Sequence, residues 1–334
     1  MKRHSSTAAE TIIDESLHQP VTDFIRCRGK RIRGSLIQLA FAMGGGSGDV
    51  PPTVVEAVEC LHAGSLVIDD IQDDSSQRRD RPAMHRQIGI PLSINAGNWM
   101  YFHSLEMLSV DEDLEKVRCD MVAAMIHAAK VCHEGQALDL ASRVDEVDPA
   151  DWHAIVHSIS DQKTGTLVGL AMKLGAIAAG ANRNVVLALE NLGTRIGIAL
   201  QMRNDLGELI ESAQPVARLD NGDSRQDDLR NARVTWPWAW LTREADAAVC
   251  QRLAASLGNA DSHGLRIIAA EVLSPIKEVG NHELQSLIEQ AIRIVSEQVI
   301  DAGLLGQLRK ALSPIHAAAQ KTTIQKAAVE GIAT

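Results

Sequence analysis

The chain has 334 residues, 45% of them hydrophobic and 23% charged, with a formal net charge of −10. That length can bury a large core, and the composition is ordinary for a globular protein. The acidic balance excludes a nucleic-acid binder, which needs a basic face, although a few local cations can still hold phosphates.

The N-terminal stretch MKRHSSTAAETIIDES has no long apolar run and no small-residue cleavage pattern, so no signal peptide is expected. Residues 1–20 are expected to be disordered or a loose helix. Next comes a basic element, Arg28-Gly29-Lys30-Arg31-Ile32-Arg33, ahead of the apolar run Leu36–Ala40. Arginine forks and a lysine point charge suit phosphate oxygens, and glycine lets the backbone approach a ligand. On these residues alone, a basic helix start at the surface is an equally good reading.

After a loop at Gly44–Pro52, a helix is predicted over Thr53–Ile71, where Val54, Ala57, Val58, Leu61, Ser65 and Ile68 recur every three or four residues. It ends in four carboxylates, Asp69, Asp70, Asp73 and Asp74. Asp69 and Asp73 share a face, and like charges at that spacing repel unless a cation compensates. Carboxylates with phosphate oxygens and water are the ligand set that Mg²⁺ prefers. Arg78 and Arg79 follow closely, which places base for phosphate beside acid for metal. A solvated acidic helix end is the competing reading. His62 lies two turns before Asp69 on the same face; a lone helical histidine is more often structural, and this one gains weight only from its neighbours.

Further on, Asp80–Pro91 reads as a loop and Val117–Ala141 as a helix. Asp148 is a predicted N-cap with Pro149 at the first helical position. Lys163–Ala181 is apolar nearly all round, as in the central helix of a bundle. Asn191–Ile210 and His282–Ala302 also read as helices, and Pro215–Asp228 as a polar loop. Strand signals are scarce and no repeat or interdomain linker is found, so residues 1–334 are expected to form one large all-α helical bundle around a central cavity. No stretch approaches 18 apolar residues free of charge, so no transmembrane segment is expected. The five scattered cysteines lack any C-x-x-C pair and read as reduced thiols of a cytoplasmic protein.

Taken together, these motifs resemble the trans-isoprenyl diphosphate synthase family, most closely geranylgeranyl diphosphate synthases of the eukaryotic type. The resemblance runs over about residues 25 to 240. It rests on Gly29, Lys30 and Arg33 (G-K-x-x-R); on Leu61–His85 with its D-D-x-x-D and R-R; and on Ile94–Leu105, similar to the family's next helix. It continues with Gly135, Gln136 and Asp139 (G-Q-x-x-D), Lys163-Thr164, Gln201, and the segment of Asp228, Leu229, Arg233 and Pro237. It implies an isoprenoid-synthase-type helical bundle with a deep substrate cavity. It also implies Mg²⁺, three ions with the substrate diphosphate bound, held by Asp69, Asp73 and Asp205. In the implied reaction an allylic diphosphate ionises and isopentenyl diphosphate attacks the cation. Asp69, Asp70, Asp73, Lys163 and Gln201 are the implied catalytic residues. Arg78 would contact the allylic diphosphate, and Gly29, Lys30, Arg33, His62 and Arg79 the isopentenyl diphosphate, with Thr164 and Arg233 as further substrate contacts. A homodimer is the implied assembly.

The chain departs from the family at its second acidic motif. Asn204 stands where the first Asp is expected; Asp205 and Glu208 follow. Asp223 occupies the place of a phosphate-binding Lys, with Arg225 nearby, and Gly-Lys becomes Ala232-Arg233. Two other readings therefore stay open: a terpene cyclase, and a non-catalytic synthase subunit. The intact basic elements and an aromatic content of only 3% argue against the cyclase. Product length is expected to depend on bulk below the first motif. Gly64 and Ser65, five and four residues before Asp69, are small and set no floor, which points to a C20 product. Trp99, Met100 and Tyr101 are the candidate floor residues, and replacing the true one by Ala is expected to lengthen the product.

Overall fold

The structure is a computed structural model that describes residues 7–26, 32–78, 81–214, 227–297, 301 and 303–312. Gly29, Lys30 and Arg79, with Arg28, Arg31, Asp223 and Arg225, lie outside the described residues. The fold is all-α. The described strands are two-residue β1 (Gln77–Arg78) and β2 (Arg81–Pro82), paired antiparallel just after the first acidic motif.

Residues 8–26 form α1 (Ala8–Ile13), a π-helical turn and α2 (Gln19–Arg26). Thr7 and Glu10 close a capping box at its start, and Val21 is buried. There follow α3 (Ile32–Met43) and α4 (Pro52–Gln72), which opens with proline in its first turn, where a missing N–H costs nothing. The predicted loop at Asp80–Pro91 contains a short helix, α5 (Met84–Ile88), and Gly89 at φ 82° separates it from α6 (Ile90–Val110). Met84 and His85 are buried, so tertiary packing rather than periodicity makes that turn helical.

The second half holds α7 (Arg118–Ala141), α8 (Trp152–Ser160), α9 (Thr166–Ala178) and α10 (Arg183–Ser212), then α11 (Asp227–Arg230), α12 (Trp236–Glu244), α13 (Ala247–Ser256) and α14 (Ser262–Ser296). Asp148 caps the turn before α8 through the Ala150 N–H at 2.9 Å. A π-helical turn, Asp161–Gly165, joins α8 to α9. α9 packs against α3, α7 and α10, and Leu167 to Met172 are buried without a break. One hydrophobic core gathers α8, α10, α12 and α14 around Trp152, Trp236, Trp238 and Trp240; another gathers α3, α4, α7 and α9. Each such buried large side chain contributes about 1.5–3 kcal/mol relative to exposure. The site opens between these two cores. Among the described residues α10 alone is long and apolar enough to cross a membrane, and half of that window is buried inside the bundle.

Candidate active site

The last turn of α4 carries the first acidic motif, with Asp73 as the C-cap residue. A cavity of about 750 Å³ opens beside it, lined by Asp69 and Asp73 but not by Asp70. The Asp70 side chain is turned inward and fully buried, where it accepts from Arg78 Nε at 2.8 Å and from a second Arg78 nitrogen. Burial pushes the Asp70 carboxyl up, and the guanidinium offsets part of that. Asp70 therefore anchors Arg78, whose fork also lies 3.9 Å from Asp69 at the cavity wall.

The two cavity-facing carboxylates each meet cations from distant segments. Asp69 Oδ1 accepts from Gln136 Nε2 at 3.0 Å and lies 3.8 Å from Lys163 Nζ. Asp73 Oδ1 accepts from Arg233 at 2.8 Å. Lys163 sits in the π-helical turn, where the register change presents it to α7 and it pairs with Asp139; such turns recur at functional sites. Burial alone would lower the Lys163 ammonium, but Asp139 and then Asp69 more than offset it and hold the charge. Arg233 also donates to the Asp139 carbonyl at 2.8 Å, and the preceding Ala232 takes φ 51° to turn it inward.

The second acidic motif comes from α10. Gly197 makes its approach possible, since a Cβ there would lie 2.5 Å from the Thr164 carbonyl. Backbone contact sets Thr164 against α10, and its hydroxyl donates to Gln201 Oε1 at 2.7 Å. Gln201 Nε2 donates to Asp205 Oδ1 at 2.7 Å, and the Trp236 N–H donates to Asp205 Oδ2 at 3.0 Å. Asp205 is buried and pushed up to about 8, by burial first and by the Asp228 charge second. Glu208, which accepts from the Asp228 N–H at 3.0 Å, rises to about 7, mainly through burial. Asp228 rises too, through its enclosure and then the Glu208 charge. Asn204 is exposed and accepts from Arg203 at 3.1 Å.

Arg33, His62, Arg78, Lys163, Thr164, Gln201, Asp205 and Arg233 all line the same cavity as Asp69 and Asp73. The sequence reading did not assign Asp228 to the acidic cluster, because it lies far from Asp205 along the chain and has no local signal. It also left Asp139 without a role, although Gln136 and Asp139 are one helical turn apart on α7. Below the polar mouth the walls turn apolar, with Leu61, Leu66, Ile68, Leu167 and Leu200. Gly64 does not line the cavity. Its Cβ would lie 2.8 Å from the Gly97 carbonyl, so its small size lets α6 approach α4. Of the three candidate floor residues, Tyr101 lines the cavity, with its ring edge-on to His133 at 5.4 Å, whereas Met100 is buried between helices and Trp99 stacks on His103.

Hard oxygen donors facing a cavity suit Mg²⁺. Among the described residues no three His, Cys, Asp or Glu side chains form a metal cage by themselves. Mg²⁺ takes one or two protein carboxylates and completes its shell with substrate phosphate and water. Burial first, and their neighbouring charges second, push Asp205, Glu208 and Asp228 up, so a cation placed beside them is electrostatically favoured.

A family profile described as Polyprenyl synthetase matches residues 14–274. The chain is 30% identical over 282 residues to a short chain isoprenyl diphosphate synthase of Methanothermobacter thermautotrophicus, covering 84% of this chain and 80% of that one. It is 30% identical over 230 residues to a geranylgeranyl pyrophosphate synthase of Eremothecium gossypii, covering 67% and 68%. A solved geranylgeranyl pyrophosphate synthase superposes with a TM-score of 0.76 at 20% identity over 93% of each chain. A decaprenyl diphosphate synthase from Rhodobacter capsulatus does so with 0.76 at 22% identity, over 96% of this chain and 92% of that one. At such identities the structural likenesses speak for the fold alone.

Proposed function

Because this chain belongs to the polyprenyl synthetase family, we propose that its cavity condenses isopentenyl diphosphate with a dimethylallyl, geranyl or farnesyl diphosphate, head to tail, and releases the linear C20 product geranylgeranyl diphosphate. One observation carries this reading. Asp69 and Asp73 meet Arg78, Lys163 and Arg233 at the mouth of a cavity of about 750 Å³ whose interior is apolar. A diphosphate fits the mouth and a prenyl chain fits the interior.

Asp69 and Asp73 would hold magnesium on one side, and Asp205 on the other. Each Asp205 oxygen accepts one hydrogen bond and retains a further lone pair. Bound there, magnesium supplies charge neutralisation to the leaving diphosphate as the allylic carbon–oxygen bond breaks. Arg78, fixed by buried Asp70, and Lys163, fixed by Asp139, present preorganised positive charge to the same group. Arg33 and His62 bind the isopentenyl diphosphate together with Gly29, Lys30 and Arg79. The Thr164–Gln201–Asp205 chain orients the polar wall facing the allylic carbon. The apolar walls exclude water from the cation. Tyr101 forms the floor that ends elongation. Cyclisation has little support, because among the described residues no Trp or Phe lines the cavity.

We also infer a cytoplasmic homodimer. Phe102 and Val110 on α6 and Ile126 on α7 are exposed apolar side chains available to a second copy. The test of function is incubation with Mg²⁺, isopentenyl diphosphate and each allylic diphosphate separately, with products identified by mass spectrometry before and after phosphatase treatment. Linear elongated diphosphates ending at C20 are expected. A hydrocarbon or alcohol from one allylic substrate, without elongation, would overturn the reading.

A further inference from the structure

Gly97 lies on α6 where that helix crosses α4. A Cβ at Gly97 would lie 2.8 Å from Ile68 Cδ1 and 2.9 Å from Ile68 Cγ1, and 3.3 Å from the Gly64 carbonyl. In return, a Cβ at Gly64 would lie 2.8 Å from the Gly97 carbonyl and 3.2 Å from Tyr101 Cδ1. The two helices thus meet backbone to backbone, and the residues beside the contact, Ile68 and Tyr101, are both cavity-lining. Ile68 precedes Asp69 on α4 and lines the same cavity, so its side chain takes up part of the apolar space beside the acidic mouth.

We propose that Gly97 is a specificity-determining positioning residue: by carrying no side chain, it leaves room for Ile68 to retract against α6 and so keeps the passage open to long prenyl chains. A methyl group at this position has to displace something. The α6 backbone is held by Ala96 and Met100, both fully buried, and the Met100 carbonyl accepts from Cys60 Sγ at 3.4 Å. Close-packed surroundings of that kind resist a shift of the whole helix. The far end of Ile68 is the flexible partner, it is only half-buried, and the space open to it is the cavity. A substitution at Gly97 therefore narrows the passage from outside, without touching substrate.

This inference rests on the prenyl-binding reading of the cavity, and its test uses binding so that it stands apart from turnover. The dissociation constants of geranyl, farnesyl and geranylgeranyl diphosphate are measured by calorimetry in the presence of Mg²⁺, for the unaltered chain, Gly97→Ala, and Gly97→Ala with Ile68→Ala. In Gly97→Ala the ratio of the geranylgeranyl to the geranyl dissociation constant rises about tenfold, the lower end of what one methylene is worth in an apolar pocket. The double variant, which removes the displaced atoms, returns the ratio to its starting value. Alanine is the better helix former at position 97, so the helix itself is not disturbed. An unchanged ratio, a fall in the ratio, or no recovery in the double variant overturns the proposal. Loss of elongation by the unaltered chain with these ratios intact would instead sink the proposed function alone.

Discussion

The two acidic sides of the cavity are built on opposite principles. On the first, Asp69, Asp70 and Asp73 have basic side chains beside them: Lys163, Arg78 and Arg233. On the second, Asp205, Glu208 and Asp228 face mainly one another, and the nearby Arg203 is bonded to neutral Asn204 instead. The first side has its charge compensated by the protein, so its geometry is set before substrate arrives. On the second side burial first, and the neighbouring carboxylates second, disfavour the charged forms, so an added cation or proton changes it most. One cavity thus combines a fixed, ion-paired side with a side whose charge state is open to change.

The largest expected effect comes from breaking the anchor. Asp69→Asn should lower kcat by about 10²–10³-fold, the scale of removing one preorganised charge from a reacting centre, with the protein still folded. Steady-state kinetics with geranyl diphosphate checks this, and an equal loss from Glu208→Gln would erase the distinction between the two sides.

The next effect is a pH dependence of stability in metal-free protein. The folded pKa values of Asp205 and Glu208, about 8 and about 7, lie above their unfolded values. The folded chain therefore holds protons that the unfolded chain releases, and stability falls as pH rises from about 4 to about 8. Each group contributes at most about 1.4 kcal/mol per pH unit. The Tm in chelator should be higher at pH 6 than at pH 8, and Asp205→Asn should flatten the slope. A Tm that rises with pH would reverse the assignment.

A smaller effect sharpens the comparison. Asn204→Asp adds a charge to the side that already repels itself, so Mg²⁺ should bind on the order of tenfold more tightly while the metal-free Tm at pH 8 drops. Metal titration followed by calorimetry reads the first and thermal unfolding the second. The smallest effect concerns the seam between the two sides. Ala232 is buried at φ 51°, a conformation that costs an L-residue about 1–2 kcal/mol, part of which the greater chain freedom of glycine cancels. Ala232→Gly should raise the Tm by a few degrees, leaving kcat unchanged because Arg233 keeps its partners; a lower Tm would show that the turn carries no strain.

Much of the anchor was legible in the sequence. The i, i+4 spacing of Asp69 and Asp73 put them on one face, and the helix carrying them runs Pro52–Gln72 against a predicted Thr53–Ile71. The role of Asp70 was not legible, because adjacent carboxylates look alike until a guanidinium is seen gripping one of them. The turn that presents Lys163, Asp161–Gly165, is not legible either: a π-helical turn leaves the composition unchanged and alters only where the side chains point. The small size of Gly64 suggests an absent floor, yet its neighbour is the backbone of α6, a contact with no trace in local pattern.

By itself the sequence determined the all-α class, the helix that ends in carboxylates, and the family resemblance, because periodicity and motif spacing are local and survive without coordinates. Tertiary structure alone decided that Asp228 joins Asp205 and Glu208, that Arg233 reaches back to Asp73, and that Tyr101 rather than Met100 faces the cavity. These depend on which helix faces meet, and that is settled by close packing between segments far apart in the chain.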